Sequence, residues 1–303
     1  MHLCKSLLKD GYKVYGVDNI NDYYSTKLKN DRLNQLLKYN NFSFSKIDLI
    51  DKKSLSSYFK KISPSKVVNL AAQAGVRYSI ENPYAYMESN FIGFLNLIEL
   101  CRHNKTDGFI YASSSSVYGG NDKIPFTEKD VVDKPISFYA ASKKSNELIA
   151  NVYSHLYGLN CTGLRFFTVY GPWGRPDMAL YIFTKKILNN QPIDVFNHGK
   201  MNRDFTYIDD IIHGVRSSID KNYKLEVFNL GNSHSEDLMK MISIIEKKLS
   251  KKAIINFTEI QPGDVETTYA DISKASKMLD YSSDTSILDG IPKFIDWYKQ
   301  YHK

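Results

Sequence analysis

Short β-rich runs alternate with helical periodicity through the first half of the chain. Lys13–Val17, Phe42–Ile47, Lys66–Leu70, Phe109–Ser113 and Cys161–Arg165 read as strands. Ser25–Lys38, Lys52–Lys61, Pro83–His103 and Phe138–Tyr157 read as helices between them. Strands alternating with long helices predict an α/β, doubly wound parallel sheet, because parallel neighbours need crossovers and those crossovers are right-handed. After Phe166 the rhythm shifts to loops, shorter helices and the short strands Ile193–Phe196, Val227–Leu230 and Ile254–Phe257. The expected division is therefore residues 1–166 as the wound domain and 167–303 as mainly a smaller substrate-binding lobe, with no low-complexity linker between them.

The opening departs from that rhythm. Leu3, Leu7 and Leu8 mark one face of a helix that Gly11 closes. A doubly wound domain of this kind opens on a strand and a glycine-rich turn, so the sheet is expected to lack its first strand. The run that follows nevertheless ends in Asp18, the acidic residue type that takes a ribose hydroxyl in a dinucleotide fold.

Composition narrows the class. With 43% hydrophobic and 24% charged residues the chain has the make-up of an ordinary globular protein, which excludes disorder as the default. No apolar run approaches the roughly 20 residues of a membrane span. The segment Met1–Gly11 carries charges inside its apolar stretch, unlike a signal peptide. The expected location is cytoplasmic, without a membrane partner. Cys4, Cys101 and Cys161 form no metal-ligand spacing, so reduced thiols and no metal are expected. The net charge of +7 comes mostly from scattered lysines, only seven of the 40 basic residues being arginine, and nucleic-acid binding needs clustered charge. No nucleic-acid partner is expected. Arg77, Arg165, Arg175 and Arg203 lie instead inside the motifs that carry chemistry.

The central constellation is Tyr139 and Lys143 at the start of one helix, with Ser114 at the end of the preceding strand. Residues four apart share a helix face, so the ammonium is placed to stabilise a phenolate and bring its pKa down from about 10 towards neutrality. Tyr139 then becomes a base for a hydroxyl group. The same spacing at Tyr23/Lys27 and Tyr181/Lys185 lacks the preceding strand and the serine run Ser113–Ser116.

Asp18-Asn19, Asn69–Ala72, the ASSSSVYG run Ala112–Gly119, Tyr139–Lys143, Arg165–Pro172 and Arg203–Asp210 stand in the order found in the extended short-chain dehydrogenase/reductase superfamily. Over essentially its whole length the chain resembles the NAD-dependent sugar-nucleotide epimerase and dehydratase branch. Through Ala71–Tyr78 and Gly171–Met178 it is most similar to UDP-glucuronate 4-epimerases. The resemblance implies a Rossmann-like fold, NAD as cofactor and a UDP-sugar as substrate, and it leaves room for a homodimer. It implies that Asp18, Asn19, Asp48, Leu49, Leu70, Ala71, Ala72, Gln73, Ala74, Asn90, Tyr139, Lys143 and Phe167 line the NAD site. Asp48 and Asn90 also suit ordinary capping and turn roles. Arg203 and Asp264 would hold the UDP part, with Arg77 also on the substrate side. By the same resemblance Tyr139 takes the proton of the sugar 4-hydroxyl while Ser114 bonds that oxygen, and hydride leaves carbon 4 and returns to its other face.

Local residues discriminate among related reactions. Dehydratases of the branch carry Asp and Glu where this chain has Ser115 and Ser116, which argues against dehydration. Thr168 replaces the usual Asn of galactose-type epimerases, and Arg175 lies nearby in sequence, which suits a carboxylate at carbon 6. The expectation is epimerisation of UDP-glucuronate to UDP-galacturonate. UDP-glucuronate decarboxylation and UDP-glucose 4-epimerisation are the alternatives among reactions. A reading of another class stays open, an incomplete chain that binds a nucleotide sugar without turning it over.

Overall fold

The computed structural model describes residues 1–303. In chain order the first half comprises α1 (His2–Lys9), β1 (Val14–Asp18), α2 (Thr26–Leu36), β2 (Phe42–Lys46), α3 (Lys52–Ile62), β3 (Lys66–Asn69), the short α4 (Tyr78–Glu81) and α5 (Pro83–Tyr86), α6 (Gly93–His103), β4 (Gly108–Ser114), α7 (Phe138–Tyr157) and β5 (Cys161–Phe166). The second half comprises β6 (Thr168–Tyr170), α8 (Ala179–Leu188), β7 (Ile193–Phe196), β8 (Asn202–Arg203), β9 (Phe205–Tyr207), α9 (Ile208–Lys221), β10 (Leu225–Leu230), β11 (Glu236–Asp237), α10 (Leu238–Leu249), β12 (Ile255–Thr258), α11 (Ser273–Leu279) and α12 (Ile287–Tyr301). Each strand of the first half falls within a residue or so of its expected place. The single helix expected over Pro83–His103 is instead α5, a π-helical turn over Met87–Ile92, and α6.

All the long pairings are parallel. β3, β4, β5 and β10 form one four-stranded sheet, while β1 and β2 pair only with each other. Val227–Leu230, read from sequence as part of the second lobe, belongs to β10 and lies in register with β5, Leu230 opposite Phe166. Burial explains this return. Phe228 and Leu230 join Leu3, Ile110, Leu164, Ile211, Val215 and Leu279 in one apolar core between the sheet and α1, α9 and α11. Leu55, Phe59, Phe94, Ile98, Phe109 and Tyr111 form the core on the other face, so the sheet is covered on both sides. Gly163 in mid-β5 makes room for the Tyr111 ring, since a Cβ there would lie 2.7 Å from the Tyr111 hydroxyl.

The remaining elements form a separate core of 20 buried residues, with Phe183, Ile193, Val195, Met241, Ile245, Ile291 and Phe294 among them. α10 packs along α12, and β7 pairs in parallel with β12. No helix is long and apolar enough to cross a membrane.

Candidate active site

The carboxyl ends of the parallel strands bring the expected residues to one edge of the wound domain, where ligands of such sheets sit. β1 ends in Asp18, which is exposed and uses one carboxylate oxygen on the Ile20 N–H at 2.7 Å. Asn19 follows and donates from its side-chain amide to Asp48 at 2.8 Å, joining the ends of β1 and β2. Asp48 also accepts from the Ile50 N–H at 3.1 Å, the turn role open to it from sequence. Leu49 lies against Gly93 and the first-domain core. β3 runs out into Leu70–Ala74, with Leu70 exposed and Gln73 buried.

Asn90 contributes by bracing. It is buried, accepts from the Gln73 N–H at 2.8 Å and donates to the Gln73 carbonyl at 2.9 Å and to Ser142 at 2.9 Å. Its polar atoms are thus spent on fixing the Leu70–Ala74 loop against α7 and are not aimed outwards. Phe167 is likewise buried, in a small core with Tyr118 and Phe126.

α7 begins where Ser137 caps it by accepting from the Ala140 N–H at 3.1 Å. Tyr139 stands in its first turn, half-buried, and Lys143 lies one turn later, buried, with its Nζ 5.9 Å from the Tyr139 ring centre. The Lys143 ammonium donates to the Ala112 carbonyl of β4 at 3.0 Å. Desolvation brings its pKa down to about 8. The expected fall of the Tyr139 pKa towards neutrality does not appear. Burial raises it, and the Ser114 hydroxyl and the Arg175 charge oppose that rise. The physical reason is that the lysine is itself desolvated and its proton donor is turned to a backbone carbonyl. Ser114, at the end of β4, donates to Ser116 Oγ and accepts from the Ser116 N–H, both at 3.1 Å, so the serine run Ser114–Ser116 folds back as a short 3₁₀ turn beside the tyrosine's helix.

Arg175 reaches this centre from the Gly171–Met178 loop. Its guanidinium grips the Asp177 carboxylate in a fork, Nε–Oδ1 3.0 Å and Nη2–Oδ2 2.8 Å. Its charge is felt by Tyr139, Tyr86 and Tyr23 alike. Thr168 lies in β6, its N–H on the Asp204 carbonyl at 3.0 Å. On the far side Arg77 pairs with Asp264 at 2.7 Å and lies over the Phe196 ring at 4.2 Å. Arg203 donates to the carbonyls of Asn202 and Glu266, both at 2.9 Å, and burial together with the Arg77 charge lowers its pKa against the pull of Asp264. Arg77, Arg203 and Asp264 are therefore one cluster.

Comparison with known proteins decides the family. The sequence profile of the family described as GDP-mannose 4,6 dehydratase matches residues 1–294. The chain belongs to that family. Among relatives, Protein CapI of Staphylococcus aureus is 52% identical over 320 residues, covering 100% of this chain and 96% of the relative. UDP-glucuronate 4-epimerase 4 of Arabidopsis thaliana is 46% identical, covering 99% of this chain and 73% of the relative. The crystal structure of a UDP-glucuronic acid 4-epimerase from Bacillus cereus, in complex with UDP-glucuronic acid and NAD, superposes with a TM-score of 0.93 at 38% identity, covering 99% of this chain and 95% of that one.

Within this family reading, three residues near the centre were not singled out from sequence, Glu147 and Tyr86 outside the motifs and Asp177 inside Gly171–Met178. Glu147 continues the Tyr139, Lys143 face by one more turn and is paired with Arg165. That i, i+4 continuation was the available signal. Asp177 sits two residues beyond Arg175, and only the turn of the loop makes the fork. Tyr86 bonds the backbone carbonyls of Ala74 and Gly75 and lies edge-on to Tyr139 at 6.0 Å.

Proposed function

We propose that the chain interconverts UDP-glucuronate and UDP-galacturonate by NAD-dependent epimerisation at carbon 4. The observation that carries this reading is the Arg175 fork. A guanidinium whose charge reaches Tyr139 is fixed by Asp177 through Nε and Nη2 and leaves its Nη1 N–H groups without a partner in the chain, and a hexuronate brings a carboxylate two carbons from the reacting centre.

The strand ends suit the dinucleotide. Asp18 keeps one carboxylate oxygen unbonded within the chain for a ribose diol, and Asn19, Asp48, Leu49, Leu70–Ala74 and Phe167 continue the same edge, with Asn90 fixing its shape. NAD held along this edge would supply the hydride acceptor and donor for carbon 4, so no external reductant would be consumed. Tyr139 takes the proton of the 4-hydroxyl and later gives it back, with Ser114 bonding the same oxygen. Arg175 supplies positive charge that a phenolate in a desolvated place requires, and Lys143 lies one turn from Tyr139 with its Nζ 5.9 Å from the ring centre. Ser115, Ser116, Thr168 and Arg175 form the sugar side of the site, while Arg77, Arg203 and Asp264 hold the uridine diphosphate. In this division residues 1–166 carry most of the cofactor contacts, and the substrate contacts come from both parts, Arg77, Ser114–Ser116 and Tyr139 from the first and Thr168, Arg175, Arg203 and Asp264 from beyond residue 166. The exposed Leu148, Val152 and Leu156 on α7, four residues apart, suit a homodimer contact that light scattering would reveal.

Incubation with UDP-glucuronate and NAD, followed by separation of the nucleotide sugars, tests the proposal. UDP-galacturonate without net NADH is the expected product. A pentose product with carbon dioxide, or turnover of UDP-glucose alone, would overturn it.

A further inference from the structure

Arg32 is a charged side chain of α2, far from the residues that chemistry singles out, yet it reaches the loop that bears Arg175. Its Nη2 donates to the Gly174 carbonyl at 3.0 Å, immediately before Arg175, and its Nη1 donates to the Tyr24 hydroxyl at 2.7 Å. Its Nε is buried without an acceptor, an arrangement that costs stability. Beside its own burial, Tyr23 of the same stretch feels the charges of the loop's Asp177 and Arg175. Trp173 of the loop lies against Trp297 at 5.4 Å and Tyr301 at 5.3 Å, and the Tyr301 hydroxyl donates to Asp31, the neighbour of Arg32, at 2.6 Å. The Arg175 loop is thus held against both the segment Tyr23–Arg32, which follows Asp18, and the C-terminal helix.

We infer that Arg32 is a positioning residue for substrate specificity, holding the backbone at Gly174 so that Arg175, fixed through its fork to Asp177, presents its unpartnered Nη1 to the carboxylate of a hexuronate. The inference rests on the proposed activity and adds a consequence. After oxidation at carbon 4 the substrate is a β-keto acid. If its carboxylate turns out of the carbonyl plane, the bond between carbons 5 and 6 breaks. Carbon dioxide then leaves, the electron pair enters the ketone as an enolate, and a solvent proton adds at carbon 5. A firmly held Arg175 opposes that turn, and a loosened loop permits it.

The test compares Arg32→Met, Arg32→Lys and Tyr24→Phe with the wild-type protein, each checked for an unchanged thermal transition. Calorimetry measures the affinity for UDP-glucuronate and for UDP, and product analysis measures the share of turnovers ending in carbon dioxide. Arg32→Met is expected to weaken UDP-glucuronate by about tenfold while leaving UDP within about twofold, and to raise the carbon dioxide share. Tyr24→Phe should fall between it and the wild type, and Arg32→Lys should recover part of the loss. An equal loss for UDP and UDP-glucuronate, or no change in either, would overturn the inference. Failure of the wild-type protein to epimerise UDP-glucuronate would overturn the proposed activity, while the affinity difference would still decide whether Arg32 serves the carboxylate.

Discussion

Glu147 and Arg165 face each other inside the wound domain, fork to fork, with Nε–Oε1 and Nη2–Oε2 both at 2.8 Å. The pair ties α7 to β5. Ser113, the neighbour of Ser114, donates to Glu147 at 2.6 Å, and Arg165 passes the network on to Tyr118 at 2.9 Å and so to Asn229 of β10 at 2.6 Å. The helix that carries Tyr139 and Lys143 and the strand that carries Ser114 are held by one buried carboxylate.

Removing one member strands the other. Glu147→Gln leaves the Arg165 charge buried without a counter-charge, and a loss of about 3–5 kcal/mol in urea unfolding is expected. Replacing both, Glu147→Leu with Arg165→Met, should cost less than the sum of the two single changes, because no charge is left uncompensated. Additive losses would show that the pair is not the coupled unit its geometry describes.

Tyr139→Phe removes the phenol but leaves the ring packed edge-on against Tyr86 at 6.0 Å. Turnover should fall by about 10²-fold or more, the worth of a positioned acid/base group, with UDP affinity nearly unchanged because Arg77, Arg203 and Asp264 lie in a separate cluster. Initial-rate kinetics and calorimetry check both halves, and a residual rate within about tenfold of wild type would remove Tyr139 from the base role.

Lys143 makes a prediction through stability. Its folded pKa, about 8, lies below the ordinary lysine value of 10.5, so between those values the folded protein binds fewer protons than the unfolded chain. Stability contributed by this residue therefore rises with pH through that window and is lowest below pH 8. Lys143→Met removes the titration, and its stability relative to wild type should be highest near pH 7 and decline towards pH 10.5. A gap that does not change with pH would place the Lys143 pKa near its ordinary value.

Much of this was legible in the sequence. The helix Phe138–Tyr157 and the strand Ile193–Phe196 have the bounds that periodicity predicts, because strong local signals set both ends: Ser137 caps the helix and Gly158 ends it at φ 67°. The place of β10 was not legible. Periodicity identifies a strand but not its partner, and β10 joins β5 only because Phe228 and Leu230 complete a core with Leu3 and Ile110. The motif residues gather as their order implies, whereas the direction of the Tyr139 pKa depends on where the Lys143 ammonium points, which an i, i+4 spacing leaves open. Asn90 was named from the family resemblance as a residue of the candidate cofactor edge. That its amide is consumed by Gln73 and Ser142 depends on a contact across 17 and 52 residues.

Asp204 gives the converse of Lys143. It is fully buried beside Arg203, and its carboxylate accepts from the Asn232 N–H at 2.6 Å, the Thr206 hydroxyl at 3.0 Å and the Ala270 N–H at 3.1 Å. Its own carbonyl holds the Thr168 N–H, so it anchors two of the candidate substrate residues to the end of β10. Burial outweighs the three donors and raises its pKa to about 6, above the ordinary 3.8. Between those values the folded protein binds more protons than the unfolded chain, so stability contributed by Asp204 is fully present below about pH 4 and falls as pH rises to about 6. At about 1.4 kcal/mol per pH unit the change is on the order of 3 kcal/mol. Asp204→Asn abolishes the titration but turns an amide N–H towards a backbone N–H, which costs about 1–3 kcal/mol at every pH. The stability advantage of wild type over Asp204→Asn should therefore be larger at pH 4.5 than at pH 7, read from urea unfolding at the two values. An advantage that grows with pH would mean that the three donors outweigh burial and hold the Asp204 carboxylate below its ordinary pKa.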